Sequence, residues 1–278
     1  MTFLRESHIV FRRQLRMNLR NPAWVIIGML QPVMYLFLFG PLLKPLIGQL
    51  GVENEYTFFV PGMLVQLGIF GAFFAGFSLI GEWREGVIEA ERVTPASRTA
   101  LLVGRLVRDL VQLLVQAGIL VGLGYLLGMT GSARGIVFGV LLTLLVGGAC
   151  AAASNALALT TKSEDVMAPV INMVMMPVLL LSGILLPMTL GPGWLQSVSD
   201  WMPFKWVTDA VRTSFSGEFA GSPMLWGSVW AFVVVDVLER GELAVQLSDC
   251  GWGGLAAQPL LQSLMEAFDL ALGLRVAG

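Results

Sequence analysis

The residue types that carry covalent chemistry are scarce in this chain. Its 278 residues include one histidine, His8, and two cysteines, Cys150 and Cys250. A nucleophile needs a base beside it, and a single histidine near the N-terminus does not provide that pairing. The scattered His and Cys residues also lack the spacing of a metal site. We therefore predict that the chain is not an enzyme and holds no metal ion.

A phosphate-binding loop for ATP is also missing from the sequence. Such a loop has the pattern GxxxxGK[ST], in which a lysine follows a glycine. The lysines of the chain are Lys44, Lys162 and Lys205, and each follows a residue other than glycine. We predict that this chain binds no cofactor of its own, and that any ATP hydrolysis takes place in a partner subunit.

The composition predicts a protein embedded in lipid. The chain is 56% hydrophobic and 13% charged, with a mean hydropathy of +0.76, which is more apolar surface than a soluble core can bury. The net charge of -2 gives no reason to expect nucleic acid as a partner. A helix needs about 20 apolar residues to cross the hydrocarbon layer. Stretches of that kind predict spans at approximately 23–43, 57–81, 107–128, 135–158, 167–188 and 219–237.

These runs are apolar on every side, whereas strands of a membrane barrel alternate apolar and polar residues. We predict an all-α integral membrane protein with about six transmembrane helices in a membrane domain over 1–235. The sixth run is short, because the apolar residues from Met224 to Val235 meet Asp236. An atypical acidic tail follows at 236–278. It is either an unusual extension or the result of a change of reading frame or gene model near Asp236, and we favour the second explanation.

The positive charges predict the orientation of the chain in a plasma membrane. Most of the 17 Lys and Arg residues precede the first predicted span or lie between the second and third. Short cytoplasmic loops are enriched in these residues, so we predict a cytoplasmic N-terminus. Arg12, Arg13 and Arg16 flank an apolar helical face that includes Phe11 and Leu15. This pattern predicts an interfacial amphipathic helix on anionic lipid, or simply a topology signal that is helical.

A polar segment lies between the second and third predicted spans, from Glu82 to Arg105. Glu82, Glu85 and Glu89 recur in it at helical spacing, and Thr94-Pro95 interrupts the pattern. We predict a short surface helix, then a break, then the entry of the next span. Its charged face is either a docking surface for a cytoplasmic partner or merely solvated.

The order of several short motifs is similar to that of a known family. The segment after the second span reads E-x-x-x-G-x-x-E and then T-P-x-S-R; RNP stands at 20–22, TTKSED at 160–165 and WMPFKWVTDAVR at 201–212. This set resembles the ABC type 2 transporter permeases, the daunorubicin-resistance-like subunits of multidrug exporters. The resemblance covers about 1–235.

The resemblance implies a six-helix permease that pairs with a second permease copy, either identical or a close paralogue, and with two copies of a separate ABC ATPase. It implies export of a hydrophobic drug, an antibiotic or a lipid-like substrate. The residues that it assigns to a coupling helix on the ATPase are Glu82, Arg84, Glu85, Gly86, Glu89 and Arg92. Those that it assigns to a segment near the outer gate are Trp201, Pro203, Trp206, Asp209 and Arg212.

The alternative is a self-contained membrane channel, facilitator or scaffold that needs no ATPase. Such a protein would line several helices with polar residues. Thr143, Ser154, Asn155 and Asn172 form only a sparse version of that pattern. The sequence therefore favours the permease, although it does not identify the substrate, and the direction of transport rests on the resemblance alone.

Overall fold

The computed structural model describes a bundle of helices. The described residues are 9–13, 15–16, 23–49, 54–87, 98–161, 163–185, 188, 191–217 and 227–228. All regular secondary structure in these ranges is helical, which confirms the prediction of an all-α fold for this part of the chain. The predicted sixth span at 219–237 and the tail at 236–278 lie outside it, except for 227 and 228.

Eight helices are labelled here in chain order, and residues 9–13 and 15–16 are also helical. The labelled helices are α1 (Ala23–Gln49), α2 (Glu55–Phe73), α3 (Ala75–Arg84), α4 (Arg98–Leu126), α5 (Ala133–Thr161), α6 (Glu164–Leu181), α7 (Gly193–Asp200) and α8 (Pro203–Ser216).

Four of the described helical stretches are long and apolar enough to cross a membrane. They are Glu55–Arg84, which combines α2 and α3, Gly104–Leu126 within α4, the whole of α5 and the whole of α6. The part of α1 from Gly28 to Leu42 is a shorter apolar helix. In lipid a backbone must satisfy its own hydrogen bonds, so apolar runs of this length form helices.

Helix α2 is the centre of the bundle. Every residue from Phe59 to Ile69 is buried, so the helix has no exposed side over three turns. It packs against α1, α4, α5 and α8. A helix that is apolar all round needs neighbours or lipid on every side, and here protein supplies them.

Small residues allow α2 and α5 to approach closely. A Cβ at Gly68 would lie 3.2 Å from the carbonyl oxygen of Thr143, and a Cβ at Gly147 would lie 3.3 Å from the carbonyl oxygen of Gly68. Such pairs bring helix backbones together in membranes. By contrast, Gly118 and Gly122 of α4 face open space.

One end of the bundle is held by hydrogen bonds between loops. Asn54 Nδ2 donates to the carbonyl oxygen of Gly128, and Thr57 Oγ1 lies 3.2 Å from the carbonyl oxygen of Thr130. These contacts bring the start of α2 beside the turn between α4 and α5. We call this region, defined by Asn54, Thr57, Gly128 and Thr130, the loop end.

The other end of the bundle carries charged side chains. Glu82 of α3 lies beside Arg105 of α4, and Arg84 lies 3.2 Å from Glu164 at the start of α6. We call this region, defined by Glu82, Arg84, Arg105 and Glu164, the charged end. The chain passes from the loop end to the charged end along α2 and α3, returns along α4, crosses to the charged end again along α5, and returns along α6.

Two short helices, α7 and α8, lie at the loop end. The 14 residues of α8 reach about 21 Å, which is too short to cross a bilayer. Instead α8 packs on α2 and α5. Gly135 of α5 makes this possible, since a Cβ there would lie 1.7 Å from the carbonyl oxygen of Ser214. The Gly135 and Gly139 pair therefore receives α8.

Helix α6 ends earlier than its sequence pattern predicts. The pattern extends the span to 188, whereas the helix stops at Leu181. Gly183 takes a positive φ of 69°, which glycine adopts without strain, and turns the chain out of the helix. The helix contains Pro169 and Pro177, neither of which can donate a backbone hydrogen bond.

Candidate functional site

A buried ion pair joins α3 to α4 at the charged end. The Nε and Nη2 atoms of Arg105 lie 3.2 and 2.8 Å from Oε2 of Glu82. The two side chains are only 8 and 9% exposed. Glu82 stands near the end of α3, where Gly81 and Trp83 already accept hydrogen bonds from the turn that follows. The pair therefore lies at the point where the chain leaves one span for the next.

Arg108 extends this pair into a cluster. Its Nη1 lies 3.8 Å from Oε1 of Glu82, and its Nη2 lies 3.2 Å from Oγ of Ser78. The same guanidinium binds Oδ1 of Asp109, with Nε and Nη2 at 2.9 and 2.8 Å. We call Ser78, Glu82, Arg105, Arg108 and Asp109 the charge cluster.

The charge cluster contains two cations and two anions, so its formal charges cancel. The Arg108 side chain is 7% exposed and that of Asp109 is 15% exposed. Removing one partner from such a cluster leaves an uncompensated charge in a medium of low dielectric constant. The arrangement can hold two helices together, but it presents no nucleophile beside a base. In the described ranges no three His, Cys, Asp or Glu residues gather to hold a metal ion.

The residues that the resemblance assigns to a coupling helix divide into two groups. Arg84 and Glu85 are exposed at the charged end, and Gly86 follows with a φ of 73°. Glu82 is buried in the charge cluster instead, because Arg105 and Arg108 reach it from α4. Two further members, Glu89 and Arg92, lie outside the described residues.

The arginines of the N-terminal helical segment are exposed. Arg12, Arg13 and Arg16 are all exposed, whereas Phe11 and Leu15 are half-buried. This separation of charged and apolar side chains matches an amphipathic helix. Ile9 of the same segment is also exposed, and the interfacial amphipathic helix stays a prediction.

Arg212 of α8 joins three elements at the loop end. Its Nη2 donates to the carbonyl oxygens of Gly183 and Ile184, at 2.9 and 3.0 Å, just beyond the end of α6. Its Cζ stands 4.0 Å from the centre of the Phe58 ring in α2, a cation–π contact. Gly62 leaves room for this side chain, since a Cβ there would lie 3.1 Å from Nη2.

Burial lowers the pKa of Arg212 to about 10, so the guanidinium remains charged at neutral pH. Its side chain is 13% exposed, and Asp209 lies 3.9 Å away. The charge is therefore held mainly by backbone carbonyls and an aromatic face, with a carboxylate at the limit of an ion pair. These are weaker partners than the carboxylates of the charge cluster.

The remaining residues of this segment lie in the turn between α7 and α8 and in the first two turns of α8. Pro203 occupies the first turn of α8, where its missing N–H costs nothing. Trp206 Nε1 donates to the carbonyl oxygen of Asp200 at 3.0 Å, and Lys205 pairs with the Asp200 carboxylate. Trp201 is 61% exposed, like a residue that meets the lipid interface.

Arg105, Arg108 and Asp109 were missed by the search for functional residues in the sequence, which used the two arginines only to orient the chain. A signal was available in their spacing. Positions i, i+3 and i+4 share one face of a helix, and this face follows directly on an acidic segment. The apolar run that begins at Leu110 hid the signal, because the helix starts twelve residues earlier, at Arg98.

The fold and these two ends define a helical membrane protein with several spans, tied by ion pairs at one end and capped by short helices at the other. The model of the ABC-2 type transporter family matches residues 5–216. This chain belongs to the ABC-2 type transporter family.

Curated relatives support the same assignment. The chain is 27% identical over 198 residues to a daunorubicin resistance ABC transporter permease protein of Streptomyces coeruleorubidus, covering 70% of each chain. It is 23% identical over 231 residues to a Mycobacterium tuberculosis protein named "Probable doxorubicin resistance ABC transporter permease protein", covering 82% of this chain and 83% of that one. The family prediction made from the motifs is confirmed.

Proposed function

We propose that this chain is the membrane-spanning permease subunit of an ATP-binding-cassette exporter. It moves a hydrophobic drug, an antibiotic or a lipid-like compound out of the cytoplasm, and a separate ATPase subunit supplies the energy. The observation that carries the proposal is the family match over residues 5–216, joined to an exposed charged segment at one end of the spans. The names of its relatives combine an ABC transporter permease with resistance to daunorubicin or doxorubicin.

The charged end faces the cytoplasm in this proposal. Support comes from the Lys and Arg distribution and from the exposed Arg12, Arg13 and Arg16 of the N-terminal segment. The membrane is the plasma membrane, and the loop end with α7 and α8 faces outward. Two copies of the chain, or this chain and a close paralogue, form the translocation path between them.

The coupling helix contacts the ATPase through Arg84, Glu85, Glu89 and Arg92, with Gly86 allowing the turn. Exposure of Arg84 and Glu85 supports this role, because a docking surface must be free to meet its partner. When the two ATPase copies bind ATP and close, they push the charged end of the permease. The spans then transmit this movement to the loop end. At that end the segment from Trp201 to Arg212 acts as an outer gate.

Co-purification from native membranes tests this proposal. The tagged chain is extracted in mild detergent as wild type, as Glu85→Lys, and as Glu85→Lys with Glu89→Lys. Arg134→Glu is the matched control, because Arg134 is an exposed charge at the loop end. Mass spectrometry identifies what accompanies each form. A reversed charge in an interface costs enough to reduce recovery about tenfold or more.

We expect an ATPase with a Walker motif to accompany the wild type and the Arg134→Glu form, and to be lost from the Glu85→Lys forms. A well-folded chain that never brings an ATPase with it would contradict the proposal and favour the self-contained channel or scaffold. Export of daunorubicin from cells, compared between wild type and Glu85→Lys, then tests the drug named for one relative as a substrate.

A further inference from the structure

The charge cluster joins the two ends of the chain segment that connects α3 to α4. Glu82 and Arg105 are 23 positions apart, and the proposed coupling helix lies between them. Both are buried, whereas Arg84 and Glu85, directly beyond Glu82, are exposed. A force applied to the exposed Arg84 and Glu85 therefore reaches the two spans through the ion pair of Glu82 and Arg105.

The tie does not depend on close packing of the two helices. Helix α3 packs chiefly on α5, and α4 packs on α2 and α5. The long side chains of Arg105 and Arg108 reach across to α3 and bind there. The charge cluster is thus a direct link from α3 to α4, in addition to the contacts that each makes with α5.

Two separate contacts in this link prevent α3 and α4 from rotating against each other. Arg108 binds Ser78 Oγ at 3.2 Å and lies 3.8 Å from Glu82, while Arg105 binds Glu82 at 2.8 Å. Ser78 and Glu82 are one helical turn apart, and so are Arg105 and Arg108. A single contact would act as a pivot, whereas two contacts a turn apart hold the helices at a set angle.

We propose that Arg105 and Arg108 are positioning residues, which lock α3 to α4 through Glu82 so that the coupling segment and both spans move as one body. This inference rests on the proposed function and adds the residues that transmit the movement. Without the lock, the ATPase still docks and still hydrolyses ATP, but the push bends the segment between the spans instead of moving them.

The first test needs only the permease chain in lipid nanodiscs. Hydrogen exchange is measured for the wild type, for Arg105→Gln, and for the exposed loop-end control Arg134→Gln. We expect exchange of the amides between 83 and 104 to rise about tenfold in Arg105→Gln, with the amides of α5 unchanged, because local opening follows the loss of a local tie. Unchanged exchange in that region would overturn the proposed lock.

The second test uses the complex of permease and ATPase in vesicles. The ratio of daunorubicin exported to ATP hydrolysed is compared between wild type, Arg105→Gln, Arg105→Lys and the exposed loop-end control Arg134→Gln. We expect the ratio to fall about tenfold in Arg105→Gln while ATPase binding is kept, with Arg105→Lys intermediate since it retains the charge but not the fork. Equal ratios in wild type and Arg105→Gln would overturn the lock.

A covalent replacement distinguishes a lock from a merely structural role. Glu82→Cys and Arg105→Cys are combined in a chain whose Cys150 and Cys250 are changed to Ser. A short bis-methanethiosulfonate reagent then bridges the two thiols through mixed disulfides, with sulfinate as the leaving group at each end. We expect the bridge to restore the transport ratio and a reducing agent to abolish it again. A bridge that forms and restores nothing would overturn the inference, whereas a wild-type chain with no ATPase would contradict the proposed function separately.

Discussion

The charged end and the loop end of the bundle each depend on arginines with little exposure, but these arginines bind different acceptors. Arg105 and Arg108 bind the carboxylates of Glu82 and Asp109. Arg212 binds two backbone carbonyls and the face of a phenyl ring. Carboxylate partners hold a buried guanidinium more strongly than neutral dipoles do. We therefore expect the helices at the charged end to be harder to separate than those at the loop end.

The largest effect is expected from a substitution that breaks the charge cluster. Glu82→Leu leaves Arg105 and Arg108 without their shared carboxylate, and we expect it to lower the free energy of unfolding by about 3–5 kcal/mol. Unfolding by denaturant in detergent micelles measures the change. Glu85→Leu, on the exposed side of the same turn, is the control and should shift it by less than about 0.5 kcal/mol. Similar losses for the two variants would contradict the difference in burial.

A smaller effect is expected where α8 meets α5 at the loop end. Gly135→Ala puts a Cβ against the carbonyl oxygen of Ser214, so we expect a loss of about 1–3 kcal/mol. Gly118→Ala, which meets no atom within 4 Å, should instead gain up to about 1 kcal/mol, because alanine favours helix. Thermal unfolding of both variants gives the comparison. Changes of the same sign would show that α8 does not pack as described.

The hydrogen bonds from Arg212 to the carbonyl oxygens of Gly183 and Ile184 are expected to contribute less stability than the charge cluster. Arg212→Lys keeps the charge but loses the planar group over the Phe58 ring, and its shorter ammonium donor lies farther from the two carbonyls, at a cost of about 1.5 kcal/mol. Limited proteolysis at α7 and α8, together with the unfolding midpoint, reports the change. Arg134→Lys serves as the exposed control. A loss as large as that of Glu82→Leu would remove the proposed contrast between the two ends.

The smallest effect belongs to the exposed pair of Arg84 and Glu164. Their side chains are 57 and 41% exposed, so Arg84→Ala should cost about 0.2–1 kcal/mol. Raising the salt concentration to 1 M should reduce the difference between wild type and variant, because exposed charges are screened. Unfolding at two salt concentrations measures this. A cost that persists in high salt would mean that Arg84 has a buried contact as well.

The helical fold was predictable because apolar runs of this length have few other solutions in lipid. The family was predictable from the order of short motifs between those runs. The positions at which helices end were harder to predict from the sequence, since they depend on neighbours that are distant in sequence. Helix α6 stops at Leu181 where Gly183 turns and Arg212 takes up the free carbonyls, and the approach of α8 to this point is not written in the local pattern.

The charge cluster was hidden for a related reason. The sequence analysis assigned Arg105 to the polar segment and placed Arg108 and Asp109 at the start of the predicted span 107–128, without a pairing partner for any of them. In the structure they lie inside α4, since arginines paired with carboxylates can enter a helix bundle that would exclude them singly. The sequence shows which charges are present, but the pairing across 23 positions depends on how α3 and α4 lie side by side.

The two prolines of α6 have a mechanical consequence. Because a proline has no N–H, the carbonyls of Asp165 and Met173 receive no helical hydrogen bond from Pro169 and Pro177. Bending the helix at either point therefore breaks no further bond. Helix α6 begins beside Arg84 at the charged end and ends beneath Arg212. It can therefore bend between the end beside Arg84 and the end beside Arg212 without losing a further backbone hydrogen bond.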